Sequence, residues 1–346
     1  MAKQKDIQHP EYQTAPMTRR RFVGRLLTAG GIGGAVTYLA TAPEGWPLSM
    51  KDKSGLRSQP VLKPFTLQDY RVAKPSGAAD IGIGRYGEPV EKLRRALDAI
   101  GGLTHYIQPG DIVLVKPNVA FDRAPNLGAT SNPELVEELV RMLLVDCRAQ
   151  EVRVADNPIE SPADCFAKSR IREATEQAGG RVYLPDSNAF KMLHTPGADL
   201  IRNWWFFHRP FTNVDKVIGL APVKDHNLCS ASIGLKNWYG LLGGTRNQFH
   251  QDIHGIVSDL AIMIRPTLTI LDGTRVLMKN GPTGGDPSNV KAGDAVLASL
   301  DPVGADAWAF EHLLERGRDY PEYLAKAEAK GAGKVDWSGR IKEITG

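Results

Sequence analysis

Cysteine is scarce in this sequence and never closely spaced. Only three cysteines occur among 346 residues, at Cys147, Cys165 and Cys229, and no Cys-x-x-Cys pair is present. Iron–sulfur clusters are held by several cysteines, usually in closely spaced runs. An iron–sulfur cluster held by this chain alone is therefore not expected.

Most of the chain also has no net charge of either sign. The sequence has 43 Lys and Arg against 39 Asp and Glu, and residues 1–42 hold six basic and two acidic side chains. That stretch accounts for the whole net charge of +4, so the remainder is neutral. A neutral body gives no support for nucleic-acid binding, and we expect no nucleic-acid partner.

A strongly apolar run of about 20 residues, the mark of a membrane-spanning helix, is absent from the start of the chain. Residues 1–42 instead have a polar beginning, the run Thr-Arg-Arg-Arg-Phe-Val at 18–23, and a weakly apolar segment rich in Gly and Ala at 26–42. This pattern is typical of a twin-arginine export signal. It predicts a periplasmic or otherwise exported protein that engages the twin-arginine translocation machinery.

The sequence leaves open whether this leader is cleaved. Ala40-Thr41-Ala42 has the small-x-small form of a cleavage site, but Pro43 would then be the first mature residue, which signal peptidases usually reject. The leader is either removed or kept as a membrane anchor. An uncleaved leader is the only membrane contact that we expect.

The body of the chain alternates apolar runs with helical segments. Apolar runs occupy 112–115, 152–155, 182–184, 214–220, 268–271 and 295–299, and helices are predicted at 89–100, 133–144, 171–178, 248–263 and 302–315. Such alternation favours parallel strands with helices between them. We predict an α/β fold: a mostly parallel sheet with helices on both faces and one irregular aromatic-rich insertion, a packed hairpin or a lid, around Trp-Trp-Phe-Phe-His at 204–208.

These patterns divide the chain into four parts. The export segment at 1–42 is followed by a Pro-rich linker and edge strand at 43–79, the α/β domain at 80–320, and a charged, Gly-rich tail at 321–346 that is expected to be peripheral. Gly82, Gly84 and Gly87 match a dinucleotide-binding fingerprint. No firm strand precedes it and no acidic residue ends the next strand, so nucleotide binding is not expected there.

Polar residues close each apolar run. They are Lys-Pro-Asn at 116–118, Asp-Asn at 156–157, Asp186, Lys-Asp-His at 224–226, Asp272 and Asp301. Ligands of open parallel sheets bind beyond the carboxyl ends of the strands, so we expect these groups to share one edge. A turn or a helix cap also explains Asp186 and Asp301, whereas Lys and His are not turn formers.

The densest group of such residues lies in the glycine-rich segment 224–244. With four further motifs it gives the chain a resemblance to DUF362, a domain of unknown function, over roughly residues 80–315. The motifs are Val-Lys-Pro-Asn at 115–118, Ala-Thr-Ser at 129–131, Ala-Asp-Asn-Pro at 155–158, Gly-Leu-Lys-Asn at 234–237 and Asn-Gly-Pro-Thr-Gly-Gly at 280–285. The resemblance implies a shared fold and shared site positions, and it implies no particular reaction.

We therefore predict a site of Lys, His and Asp side chains for a small anionic molecule. Lysines would bind its carboxylate or phosphate, and His226 or a lysine with a lowered pKa would move a proton. The predicted catalytic residues are His226, Lys236, Lys224 and Asp156, and the predicted substrate-binding residues are Lys116, Asn118, Asn157, Asn237 and Asp272.

His250 and His254 are four residues apart on a predicted helix, a spacing that places both rings on one face as a divalent metal requires. Gln251 occupies the position of the glutamate in a zinc peptidase, so metal-dependent proteolysis is not expected. A divalent metal is the one cofactor that the pattern suggests. An ordinary solvated face explains the histidine pair equally simply.

Three functions remain open from the sequence. The first is an exported enzyme acting on a small anion. The second is a periplasmic ligand-binding or accessory module that uses the same basic residues without chemistry, and the third is a metal-dependent redox protein. Absence of turnover would favour the second, and metal analysis would test the third.

Overall fold

The apolar runs form a ten-stranded sheet in the computed structural model, which describes residues 64–345. The predicted export signal at 1–42 and residues 43–63 of the predicted linker lie outside the described residues. Within 64–345, no helix has both the length and the apolar composition needed to cross a bilayer.

The sheet follows the order β12-β1-β11-β9-β7-β2-β3-β4, with β10 beside β9 and β8 beside β7. The strands are β1 (Ile81–Arg85), β2 (Ile112–Lys116), β3 (Glu151–Ala155), β4 (Arg181–Tyr183), β5 (Phe190–His194), β6 (Asn203–Phe207), β7 (Lys216–His226), β8 (Ser230–Ser232), β9 (Leu268–Leu277), β10 (Val290–Lys291), β11 (Ala295–Ser299) and β12 (Ile341–Thr345). Five neighbours, from β9 through β7, β2 and β3 to β4, are parallel. The predicted mostly parallel sheet is confirmed.

Strand β11 runs against this direction, since it pairs antiparallel with both β9 and β1. Asp301 follows β11 and therefore lies at the edge opposite the carboxyl ends of the parallel strands. Its carboxylate accepts the N–H groups of Val303 and Gly304, both at 3.0 Å, and so caps the next helix. The expectation that Asp301 shares the common edge was wrong.

Proline or an Asx residue begins most of the longer helices. They are α1 (Pro89–Ala99), α2 (Leu103–Tyr106), α3 (Pro133–Arg141), α4 (Pro162–Lys168), α5 (Ile171–Gln177), α6 (Gly234–Asn237), α7 (Ile253–Met263), α8 (Pro302–His312) and α9 (Glu322–Ala329). Short 3-10 turns lie at Pro125–Leu127, Arg209–Phe211, Trp238–Leu241, Arg246–Asp252 and Pro287–Asn289, and α3 ends in a π-helical turn, Met142–Asp146.

Successive residues of the strands pack into different cores, so helices cover both faces. Val113 and Val115 of β2 join a cluster with side chains of α1 and α3. Leu114, between them, joins the opposite cluster with side chains of α7 and α9. This alternation buries both faces of the sheet and leaves its carboxyl edge as the place for polar groups.

Two glycines of the fingerprint, Gly82 and Gly84, lie within strand β1 and allow α1 to approach it closely. A Cβ on Gly82 would lie 2.2 Å from the Ala96 carbonyl oxygen, and one on Gly84 would lie 1.9 Å from that of Lys92. These glycines therefore serve strand–helix packing.

The aromatic insertion is a hairpin packed on the glycine-rich segment. Strands β5 and β6 pair antiparallel outside the main sheet. Trp204 Nε1 donates to the Gly243 carbonyl at 2.9 Å, and the Trp204 ring lies 4.7 Å from that of Phe249. The hairpin thus supports the turn that precedes Arg246.

Both ends of the described chain belong to the fold. In 64–79, Phe65 forms only an isolated bridge with Leu193 in place of the edge strand expected there. The segment expected to be peripheral supplies β12, which pairs with β1, and helix α9, where Tyr323 and Leu324 are fully buried. The many charged residues and glycines of segment 321–346 gave no clear apolar period, so its buried contacts were not predicted.

Candidate functional site

A small cavity lies where β2, β3 and β7 end, beside the short helix α6. Its volume is about 70 Å³. It brings together every predicted catalytic and substrate-binding residue except Asp272, together with His250. The predicted residues that line it are Lys116, Asn118, Asp156, Asn157, Lys224, His226, Lys236 and Asn237.

The floor of the cavity is a fully buried ion pair. Lys116 Nζ at the end of β2 lies 2.7 Å from Asp156 Oδ1, which follows β3. The ammonium also donates to Asn237 Oδ1 and to the Pro117 carbonyl, both at 2.8 Å. Three acceptors match its three protons, and burial lowers the pKa of Lys116 while the Asp156 carboxylate opposes that effect. We infer that Lys116 is an ammonium committed to structure.

Gly240 allows this pair to be covered. A Cβ at this position would lie 2.0 Å from Asp156 Oδ1 and 2.8 Å from Lys116 Nζ. The Gly240 carbonyl accepts the N–H of Asn157 at 2.9 Å, and the Asn157 side chain donates to the Leu242 carbonyl at 2.8 Å. The glycine-rich segment therefore closes directly over the ends of β2 and β3.

Lys224 has a different environment from Lys116. Its Nζ donates to Asn118 Oδ1 at 3.0 Å and to the Ala129 carbonyl at 2.7 Å, and it lies 5.4 Å from the Phe121 ring centre. Both acceptors are neutral, and no carboxylate within residues 64–345 is paired with this nitrogen. Burial, with the positive charges of Lys236 and Lys116, lowers the pKa of Lys224 to about 7.

Lys236 is the least satisfied of the basic groups. The residue is 9% exposed and lines the cavity, and no acceptor among residues 64–345 lies within hydrogen-bonding distance of Nζ. The nitrogen lies 5.1 Å from the centre of the Tyr239 ring. Burial lowers the pKa of Lys236, with further contributions from Arg246 and Lys116. Such a buried cation without a hydrogen-bond acceptor is suited to an anionic ligand.

His226 lies at the end of strand β7, after a shift in the pairing of that strand with β9. The pairing of β7 with β9 shifts between Pro222 and Lys224, where a proline interrupts the ladder. His226 Nδ1 accepts the N–H of Leu228 at 3.2 Å. Burial, then Lys236 and Lys224, lower the pKa of His226 to about 2, so the ring is neutral and its proton is on Nε2. His226 is thus a hydrogen-bond donor to the cavity.

Arg246 was not predicted from the sequence. Its two terminal nitrogens donate to four carbonyls, those of Asn157 at 2.8 Å, Pro158 at 2.9 Å, Leu242 at 3.1 Å and Tyr239 at 3.4 Å, with no carboxylate bound to it in the described part of the chain. Its Nε–H group has no acceptor among residues 64–345 and is the donor left for a ligand. Arg246 is 8% exposed, and burial lowers its pKa. Its place just after Gly243-Gly244 in a segment already rich in basic residues was the available signal.

The predicted histidine pair is divided between two elements. His250 belongs to the 3-10 turn and lines the cavity, whereas His254 begins α7 and its ring stacks 6.1 Å from Tyr323 on the other side. The helix expected at 248–263 is interrupted because the Asp252 carboxylate accepts the Gly255 N–H at 2.8 Å and caps α7. The two rings therefore do not share a face. Within residues 64–345, no group of three or more His, Cys, Asp or Glu is arranged around a possible metal position.

Two further polar residues lie away from the cavity. Asp272 is inside β9, which continues to Leu277, and its carboxylate accepts the N–H of Asn132 at 2.9 Å and the Thr274 hydroxyl at 2.6 Å. It ties the start of α3 to the sheet, and burial raises its pKa. Asp186 follows β4 and pairs with Arg209 at the surface.

A larger hollow of about 240 Å³ lies at the opposite edge of the sheet. Arg71 there pairs with Asp69, and Arg340 pairs with Asp301, both at 2.5 Å. Because these charges are already paired and partly exposed, the smaller cavity is the better candidate for a site despite its size.

The order of these residues along the chain agrees with a known family. A family model described as "Domain of unknown function (DUF362)" matches residues 113–311, more than half of the chain. The chain belongs to the DUF362 family. The match includes every residue of the cavity floor, the bulged end of β7 and the glycine-rich segment, so the geometry above is that of a DUF362 domain.

A thylakoid-associated protein of Synechocystis sp. is 28% identical to this DUF362 protein over 221 residues. The match covers 59% of this chain and 64% of the relative, so it spans less than two thirds of the relative's own length.

Two solved structures share some of the architecture. One is a protein from Thermotoga maritima, at 12% identity and a TM-score of 0.39, covering 68% of this chain and 60% of that one. The other is the lactate racemase apoprotein from Thermoanaerobacterium thermosaccharolyticum, at 14% identity and a TM-score of 0.38, covering 72% and 61%. Likeness at this level carries no functional argument.

Proposed function

We propose that this DUF362 protein is an enzyme that binds a small carboxylate or similar oxyanion in the cavity and transfers a proton to or from it. The observation that carries the proposal is the charge of the lining. Four basic side chains, Lys116, Lys224, Lys236 and Arg246, face a single carboxylate, Asp156. Asp156 is already paired with Lys116, so the other three have no counter-ion among residues 64–345.

Lys236 and Arg246 are the groups suited to hold the anion. Lys236 Nζ has no acceptor among the described residues, and Arg246 has only neutral carbonyl partners. An anion between them would balance buried positive charge that has no counter-ion in the described part of the chain. Charge-assisted contacts from Lys236 Nζ and the remaining Nε–H of Arg246 would be strong in a buried site.

Lys224 is the group suited to move the proton. A pKa of about 7 leaves it divided between amine and ammonium near neutral pH, which is the condition for an effective general acid or base. His226 would act beside it as a hydrogen-bond donor through Nε2, because Nδ1 is occupied by the Leu228 N–H. This assigns proton transfer to the lysine in preference to the histidine.

The experiment has two readouts on the full-length protein. Calorimetric titration with glycolate, malonate, pyruvate and phosphate measures binding, and proton NMR in D₂O measures exchange of carbon-bound hydrogen in the three organic probes. We expect at least one organic probe to bind and to exchange faster than without protein. Exchange should be lost in Lys224→Met and kept in Lys342→Met, whose lysine is exposed on the edge strand β12.

The possible outcomes separate the alternatives. Binding with no exchange in the unmodified protein would favour a ligand-binding or accessory module and refute the enzymatic proposal. No binding of any probe would refute the anion site itself. Equal exchange in Lys224→Met and in the unmodified protein would remove Lys224 from the proton transfer.

We also propose that the protein works outside the cytoplasm, on the basis of the leader sequence at 1–42. The small anion would then be a molecule of the exported compartment. A fusion of the leader to a reporter that folds before export would test this proposal, and a reporter retained in the cytoplasm would refute it.

A further inference from the structure

Lys224 has the hydrogen-bond environment of a neutral amine. An amine has two N–H donors and one lone pair, and Lys224 Nζ has two neutral acceptors, Asn118 Oδ1 and the Ala129 carbonyl. Lys116, by contrast, has three acceptors that include a carboxylate and suit an ammonium. The two buried lysines of one cavity are thus in environments suited to opposite protonation states.

Lys224 lies in the wall of the cavity, where the third position on its nitrogen, not used by the two hydrogen bonds, is available to a ligand. Lys224 and His226 are two residues apart on β7, so they project to the same side of the strand, and both line the cavity. The Phe121 ring, whose centre is 5.4 Å from Nζ, also lines the cavity and gives it an apolar surface beside the lysine. A desolvated lysine near other cations is the arrangement in which an amine becomes a nucleophile at neutral pH.

We propose that Lys224 attacks the carbonyl carbon of a small 2-oxo acid and forms an imine, with the acid's carboxylate held by Lys236 and Arg246. A carbon–nitrogen bond forms, and the carbonyl oxygen leaves as water with both protons of the amine. The step is a condensation and needs no oxidant or reductant. The proposal deepens the proposed function and rests on it, since it names the substrate class of the same site.

The size of the cavity and its donors agree with such a ligand. At roughly 12 Å³ for each water-sized group, a volume of about 70 Å³ accommodates only a few such groups, as a three-carbon oxo acid requires. His226 Nε2 is the neutral donor available to the carbonyl oxygen during the attack. An imine would also withdraw electrons from the adjacent carbon, which links covalent binding to the proton transfer proposed above.

Trapping with borohydride tests the imine directly. The full-length protein is incubated with pyruvate at neutral pH, treated with sodium borohydride, digested and mapped by mass spectrometry. We expect a reduced pyruvyl adduct on Lys224 and little on other lysines. Adduct mapping in the unmodified protein locates the lysine even if Lys224→Met fails to fold. The Lys342→Met variant should give an unchanged yield.

Methyl pyruvate, which lacks the negative charge, provides the matched probe. If Lys236 and Arg246 hold the carboxylate, trapping of the ester at equal low concentration should be weaker by about thirtyfold. Equal trapping of the acid and the ester, or adducts spread over exposed lysines, would overturn the proposal. No adduct with pyruvate while malonate still binds and exchanges would overturn the imine alone and leave the proposed function standing.

Discussion

Replacement of Lys224 by methionine should change the stability of the protein in a pH-dependent way. The folded-state pKa of about 7 lies below the value of about 10.4 in an unfolded chain, so the folded state binds fewer protons at this site between those limits. Stability of the unmodified protein therefore rises with pH across that window. Below pH 7 the penalty for burying the ammonium is fully present.

The magnitude follows from the pKa difference. The difference between the two pKa values, about 3.4, corresponds to roughly 5 kcal/mol below the window, and about 3 kcal/mol of this is recovered between about pH 6.5 and pH 9.5. Methionine removes the penalty at every pH, but it leaves the acceptors of Asn118 and Ala129 unsatisfied at about 1–3 kcal/mol each. The unfolding free energy of the unmodified protein, measured relative to that of the variant, should thus increase by about 3 kcal/mol from about pH 6.5 to pH 9.5.

Urea denaturation at both pH values measures this difference, because the titration of groups distant from Lys224 cancels between the two proteins. Lys342→Met, on the exposed edge strand, should give a difference that does not vary with pH. Parallel stability curves for Lys224→Met and the unmodified protein would show an ordinary ammonium at Lys224 and exclude the lowered pKa.

Three further changes test other parts of the account. Gly240→Ala should lower stability by more than about 2 kcal/mol in thermal unfolding and weaken probe binding, because its Cβ would lie 2.0 Å from Asp156 Oδ1 and force the ion pair apart. Asp306→Ala should lower stability by about 3 kcal/mol in urea denaturation, because this buried carboxylate accepts the two N–H groups that begin α6; unchanged stability would show those bonds to be dispensable. Replacing Arg19 and Arg20 by Lys should leave the protein in the cytoplasm by fractionation, since the export pathway reads the arginine pair, and unchanged delivery would exclude the twin-arginine route.

Local sequence patterns predicted the sheet and most helices because they act within each element. The alternation of Val113, Leu114 and Val115 between two cores, and the proline start of α3, are determined by neighbours in the sequence. Strand direction is a property of the whole sheet. The connection from β9 to β11 contains no α-helix, which was the available sign that β11 need not be parallel.

The sequence predicted the location of the candidate site more readily than the role of each residue in it. Residues at the ends of neighbouring parallel strands must lie close together, which placed Lys116, Asp156 and Lys224 in one cavity. Asp272 was misplaced because its strand continues past an apolar run that ends at Leu271. Which lysine is paired and which is not depends on contacts between distant segments, and no local pattern contains that information.

We propose that the cavity holds a small anion through Lys236. The most direct measurement is calorimetric titration of the tightest of the four probes into the unmodified protein and into Lys236→Met, with thermal unfolding of both. Methionine preserves the length of the side chain and removes only a charge that has no acceptor in the described chain. We predict affinity weakened by about thirtyfold with equal or higher thermal stability. Equal affinity in the two proteins would contradict the account.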